Sequence, residues 1–182
     1  MKKLMFALAC AIVFAANLAN AATLEDKITF GGKTSHKLSI FESKSFGESA
    51  FGWSAYFLTG QYWSEGYVGP TWTPAPWVSL SASVGVQSAK SGENPTRYAS
   101  SAWVGNKFGS LYAVYERGAE ASNNWWKAKA FANVAKGVKV GVFFEKDVDV
   151  APVLELSIPE TRLVVWGAYY ASGSQLGLKY NF

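Results

Sequence analysis

Past residue 21 the 182-residue chain has no cysteine, its single Cys10 falling in the N-terminal apolar segment. The remainder therefore has no disulfide, no thiolate metal site and no cysteine nucleophile. Histidine is nearly missing too, and His36 is the sole imidazole. Charge is scarce: Asp, Glu, Lys and Arg make up 16% of the residues, where a soluble domain carries about 25%. So few charges cannot cover a water-facing surface. Long apolar runs are also absent beyond the N-terminus. The longest uncharged stretch, residues 66–89, is interrupted by Pro70, Pro74 and Pro76 and laced with serine, whereas a membrane-crossing helix needs about 20 apolar residues in a row. No stripe of Lys and Arg marks a nucleic-acid surface.

What the N-terminus does contain is a basic pair, Lys2 and Lys3, then an apolar run over 4–16 and the small residues Ala19, Asn20 and Ala21. This reads as a secretory signal peptide, residues 1–21, cleaved near Ala21, ahead of one domain over 22–182. The run is too short to cross a bilayer as a helix, and Cys10 comes before it is finished, which argues against a lipidation box. Removing Lys2 and Lys3 takes 17 basic residues to 15 against 13 acidic ones, so the formal charge falls from +4 to +2.

The rest of the chain alternates. Val78, Leu80, Ala82, Val84 and Val86 interleave with Ser79, Ser81, Ser83, Gly85 and Gln87, a strand with one apolar face and one small polar face. The same period appears at Trp126 to Val134 against Lys127, Lys129, Phe131 and Asn133. It recurs at Val138 to Phe144 against Lys139, Gly141, Phe143 and Glu145, and at Leu154, Leu156 and Ile158 against Glu155 and Ser157. The final segment places Leu176, Leu178, Tyr180 and Phe182 on one face and Gly177, Lys179 and Asn181 on the other. That ending resembles the last strand of bacterial outer-membrane β-barrels, in which a C-terminal Phe with aromatic and aliphatic residues at alternate positions is the signal read by the barrel-assembly machinery. The resemblance makes Leu176, Leu178, Tyr180 and Phe182 the expected assembly signal. It implies location in the cell outer membrane, among lipid and lipopolysaccharide. Lipid offers no partner to an open strand edge, so a spanning sheet must close.

Turn residues at 73–76, 91–95, 106–109, 122–124, 147–149, 159–161 and 172–174 divide the chain into an antiparallel up-and-down transmembrane β-barrel of about twelve strands. Gly31 and Gly32 add a hairpin near the start. The approximate strands are 26–31, 34–43, 49–59, 62–72, 77–88, 96–106, 110–118, 125–134, 138–146, 151–158, 162–171 and 175–182. The first two are the weakest marked, so ten strands is the fallback, and eight would require ignoring several turns. With both termini periplasmic, as in the proteins the chain resembles, the longer connections at 89–95, 119–124 and 147–150 fall outside. The tight ones then fall in the periplasm.

Turning the aliphatic faces outward points Lys127, Lys129, Lys139, Glu145, Glu155 and Lys179 inward, together with Arg97 and Glu116. Such residues either fill a barrel with ion pairs or line a slender path. In the second case the small face Ser79, Ser81, Ser83 and Gly85 leaves one wall open, and neighbouring lysines give a cationic bias. Trp53, Trp63, Trp72, Trp77, Trp103, Trp125, Trp126, Trp166, Tyr169 and Tyr170 read as interfacial girdles, with sugar stacking as the alternative.

Catalysis has little to stand on. Ser35 and Ser39 lie one and three positions from His36, so both fall on the opposite face of a regular strand from it. No spacing of ligands suggests a metal or cofactor. The expected function is a non-enzymatic barrel that passes or binds a small solute in its lumen. The alternatives are an envelope-integrity barrel, a lipid A-modifying hydrolase centred on His36, and a soluble periplasmic lipocalin-like barrel with its apolar faces inward.

Overall fold

The computed structural model describes residues 22–31, 34–89, 95–118, 124–146 and 148–182, so the segment read as a signal peptide lies outside the described residues. Twelve strands follow in order: β1 Ala22–Phe30, β2 Ser35–Ser45, β3 Phe51–Gly60, β4 Trp63–Ala75, β5 Val78–Ala89, β6 Thr96–Gly105, β7 Gly109–Arg117, β8 Trp125–Ala135, β9 Val138–Glu145, β10 Val148–Ser157, β11 Leu163–Tyr170 and β12 Gly173–Asn181. Each pairs antiparallel with its sequence neighbours, and β12 pairs with β1 to close the barrel. Closure satisfies every strand edge, the condition that a membrane-facing sheet imposes. The twelve-strand expectation holds, including the two weakly marked first strands.

The alternation sets the two faces. Leu80, Val84, Val86, Val140, Val142, Leu154, Leu156, Leu176 and Leu178 are all exposed, while Arg97, Glu65, Glu116, Glu145 and Glu155 are each at most 6% exposed. This inside-out burial is the reverse of what a soluble lipocalin-like barrel requires, and it overturns that alternative. β12 lies between β1 and β11, with Leu178 opposite Asp26 and Val165, and Leu24 opposite Tyr180. The last residue is tied in: Phe182 N–H donates to Ala22 O at 2.9 Å, and its ring meets Tyr180 edge-on at 4.9 Å.

Some boundaries shift. β4 runs on through Pro74 to Ala75, and a register break between Trp72 and Ala75 accommodates a proline that cannot donate to the ladder. The turn therefore falls at 76–77. β10 starts at Val148, with a second break before Ala151, so of the turn expected at 147–149 only Asp147 lies between strands, outside the described residues. Connections 90–95 and 118–124, the two longest, are at the end opposite the termini. Five-residue connections at 46–50 and 158–162 lie at the termini end, so the asymmetry of loop length is narrower than expected.

Gly137 and Gly177 are required for different reasons. Gly137, with φ +76°, makes the two-residue β8–β9 hairpin. Gly177 lies against the Trp166 indole, and a Cβ there would overlap the ring nitrogen. Gly177→Ala is expected to cost about 1–3 kcal/mol by overpacking, measured by urea unfolding in lipid vesicles. Gly167→Ala, whose Cβ would meet nothing nearer than 3.7 Å, should leave the midpoint unchanged.

Candidate functional site

The interior is divided lengthwise. Where β9 to β12 face inward it is packed: Phe143, Ala151, Val153, Trp166, Ala168 and Tyr170 form a buried cluster, with Phe131 and Val148 against it. Charged groups are built into this packing. Glu155 accepts hydrogen bonds from Lys139 at 2.8 Å and Lys179 at 2.5 Å. Lys129 Nζ sits 4.2 Å from the Trp166 ring centre and 5.2 Å from that of Phe143, and Trp166 Nε1 donates to Glu25 at 2.6 Å. Such cation–ring contacts and charge-assisted hydrogen bonds anchor the ammonium groups in this packing.

The other side is hollow. A chamber of about 260 Å³ is bounded by residues of β1 to β9, and Trp63, Asn124 and Lys146 place it toward the end away from the termini. Its lining carries five cations, Lys27, Lys37, Arg97, Lys127 and Lys146, and four carboxylates, Glu25, Glu65, Glu116 and Glu145. Tyr56, Glu116, Trp125 and Lys127 also border a second cavity of about 70 Å³, walled by Ser54, Ser81, Ser83, Ser101 and Tyr112. These four residues stand between the two spaces and line both. The small hydroxylated side chains leave room because β5 and β6 present nothing bulky to the lumen at this level, and Ser81 and Ser101 satisfy each other at 2.7 Å.

One wall of the chamber is a buried network. Arg97 donates from Nε to Tyr67 Oη at 2.8 Å and from Nη1 to Gln87 Oε1 at 3.0 Å, and its Nη2 lies 3.4 Å from Glu116 Oε2. Tyr67 Oη donates to Glu116 at 3.0 Å, with Glu65 at 3.3 Å. One guanidinium thus stands between two carboxylates. Facing it, Lys37 Nζ lies 5.2 Å from the Trp63 ring centre and Lys127 Nζ lies 5.4 Å from that of Trp125. Neither lysine has a carboxylate within ion-pair distance among the described residues. Lys27 stands 3.8 Å from Glu145.

Of the eight inward candidates read from sequence, Arg97, Glu116, Lys127 and Glu145 line the chamber. Lys129, Lys139, Glu155 and Lys179 do not; they belong to the packed side. The cations of the chamber are thus Arg97 and Lys127 with Lys27, Lys37 and Lys146, while Lys129, Lys139 and Lys179 lie elsewhere. Several indoles assigned to girdles are also interior. Trp166 is 2% exposed, Trp63 and Trp125 line the chamber and Tyr170 is buried, while Trp103, opposite the inward Tyr112, is exposed near the strand end. Trp72, Trp126 and Tyr169 are exposed on the outside, and Trp77 is exposed in the β4–β5 turn. Glu65 and Tyr67 were missed because β4 has glycine and proline on its outer face, at Gly66 and Pro70, and so shows no apolar contrast. Glu25 and Lys27 share a face two residues apart, which a strand begun at residue 22 would have revealed.

His36 is on the outer surface, where its Nε2 hydrogen-bonds the Asp26 carboxylate, while Ser39 lines the chamber. No hydroxyl in the described residues hydrogen-bonds the imidazole. His36→Ala should leave the lipid A mass spectrum of cells expressing the protein unchanged. Among the described residues no three His, Cys, Asp or Glu side chains cluster as a metal site.

No protein-family model and no curated protein matches this sequence. Solved structures do resemble its fold. The KdgM porin in complex with disordered oligogalacturonate superimposes with a TM-score of 0.58 at 15% identity, covering 88% of this chain and 99% of that one. The NanC porin gives 0.57 at 9% identity, covering 89% and 99%.

Proposed function

We propose that the protein is an outer-membrane channel, without enzymatic activity, for small solutes that carry a carboxylate or other acidic group. The observation that carries this reading is the chamber of about 260 Å³, lined by five cations against four carboxylates, which shares Tyr56, Glu116, Trp125 and Lys127 with a serine-walled cavity. Among the described residues of the interior, Lys27, Lys37, Arg97, Lys127, Lys129, Lys139, Lys146 and Lys179 face Glu25, Glu65, Glu116, Glu145 and Glu155, eight cations against five carboxylates. In a narrow lumen with low-dielectric walls such an excess concentrates anions. The outward apolar face supports a membrane location, and the likeness to a porin crystallised with oligogalacturonate supports an acidic solute. The chamber is slightly below the range of about 300–1,000 Å³ typical of small-molecule sites, which favours one small molecule at a time.

Export through residues 1–21 and insertion by the barrel-assembly machinery through the β12 ending belong to the same reading. In planar bilayers the purified protein should give stepwise, anion-selective conductance. Absence of steps at every salt concentration would overturn the channel. Recovery of the protein in the soluble fraction without detergent would overturn the membrane location.

A further inference from the structure

The outer face carries one feature the channel reading does not use. On β1 the outward side chains are Leu24, Asp26, Ile28 and Phe30, and Asp26 is opposite Leu178 on β12 and Leu38 on β2. Leu24 and Ile28 flank it along the strand. A carboxylate therefore stands within the apolar band, bonded to His36 one register step away, with the two side chains 46% and 62% exposed. Ionisable side chains exposed to lipid are costly and, where present, point to function. The chain has only this one histidine, and it is spent on holding an outward-facing acid.

We propose that this face, formed by β12, β1 and β2, is the contact between two copies of the barrel, related by a twofold axis. An acid and a base side by side on one surface are self-complementary under such an axis: Asp26 of each copy meets the imidazole of the other. Leu24, Ile28, Leu38 and Leu178 supply the apolar packing around the polar centre. Between membrane segments a hydrogen-bonded polar pair acts as the adhesive, because apolar side chains alone gain nothing by leaving lipid. The pair then loses its lipid exposure.

The mature chain has no cysteine, so one introduced thiol reports the contact cleanly. Leu38→Cys in native outer membranes, treated with a mild oxidant, should yield a disulfide-linked dimer, while Val140→Cys, on the exposed face of β9, should not. Adding Asp26→Leu to Leu38→Cys should lower the cross-linked fraction at least about tenfold. Heat-modifiable gel migration shows that this variant is still a folded barrel. A Leu38→Cys protein that stays monomeric faces lipid, and one that cross-links to another protein has a different partner. Either outcome, or cross-linking indifferent to Asp26→Leu, overturns the proposal. Conductance is recorded separately, so failure of the dimer and failure of the channel are distinct results.

Discussion

Replacing Lys37 and Lys127 together by glutamate should invert the ion preference of the barrel. Each substitution moves the lumen by two charges, so the interior passes from eight cations and five carboxylates to six and seven. The change is concentrated in the chamber, where both lysines sit over indoles with no carboxylate in ion-pair reach. That isolation makes the pair the right target, since no ion pair within 4 Å is broken. Two unit charges about 4 Å apart interact by about 1–4 kcal/mol between bulk water and a protein surface. A swing of about tenfold in the anion-to-cation permeability ratio requires about 1.4 kcal/mol. The zero-current potential across a salt gradient in planar bilayers should therefore change sign. A conducting double variant whose potential keeps its sign would show that the path avoids this chamber.

The largest loss of stability is expected at Arg97. Its side chain is 4% exposed and stands between Glu65 and Glu116, at 6% and 7%. Arg97→Met leaves two carboxylates facing each other beside Tyr67 with no cation between them, a loss of about 3–5 kcal/mol. Adding Glu65→Gln and Glu116→Gln should restore most of it, because removing a whole buried charge network costs far less than removing one partner. Urea unfolding in lipid vesicles, followed by tryptophan fluorescence, measures both variants. Equal midpoints for Arg97→Met and the unmodified protein would mean that the network contributes nothing to the fold.

Much of this architecture was legible because it depends on a local rule. Val78 to Gln87 and Leu154 to Ser157 alternate cleanly, and in a strand alternation fixes which side chain faces lipid whatever the neighbouring strands do. Where the contrast failed, so did the reading. β4 sets Glu65 and Tyr67 against Gly66 and Pro70, and the start of β1 lay upstream of the first recognisable turn. The girdle assignment failed for Trp63, Trp125 and Trp166 for a related reason. An indole near a strand end looks the same in sequence whether it points toward lipid or into the lumen, and its parity decides.

The sequence by itself determined the strand period, the number of strands and the facing of the side chains in the cleanly alternating strands, since all three follow from side-chain alternation and turn chemistry along a single stretch of chain. Only the tertiary structure decided which inward groups meet. Residues of β1 and β11, of β4 and β7, or of β8 and β11 come together through the stagger and closure of the barrel, a property of all twelve strands at once. That closure sends Lys129, Lys139 and Lys179 into a packed wall and leaves Lys37 and Lys127 facing open space. It also brings His36 beside Asp26 on the outer face.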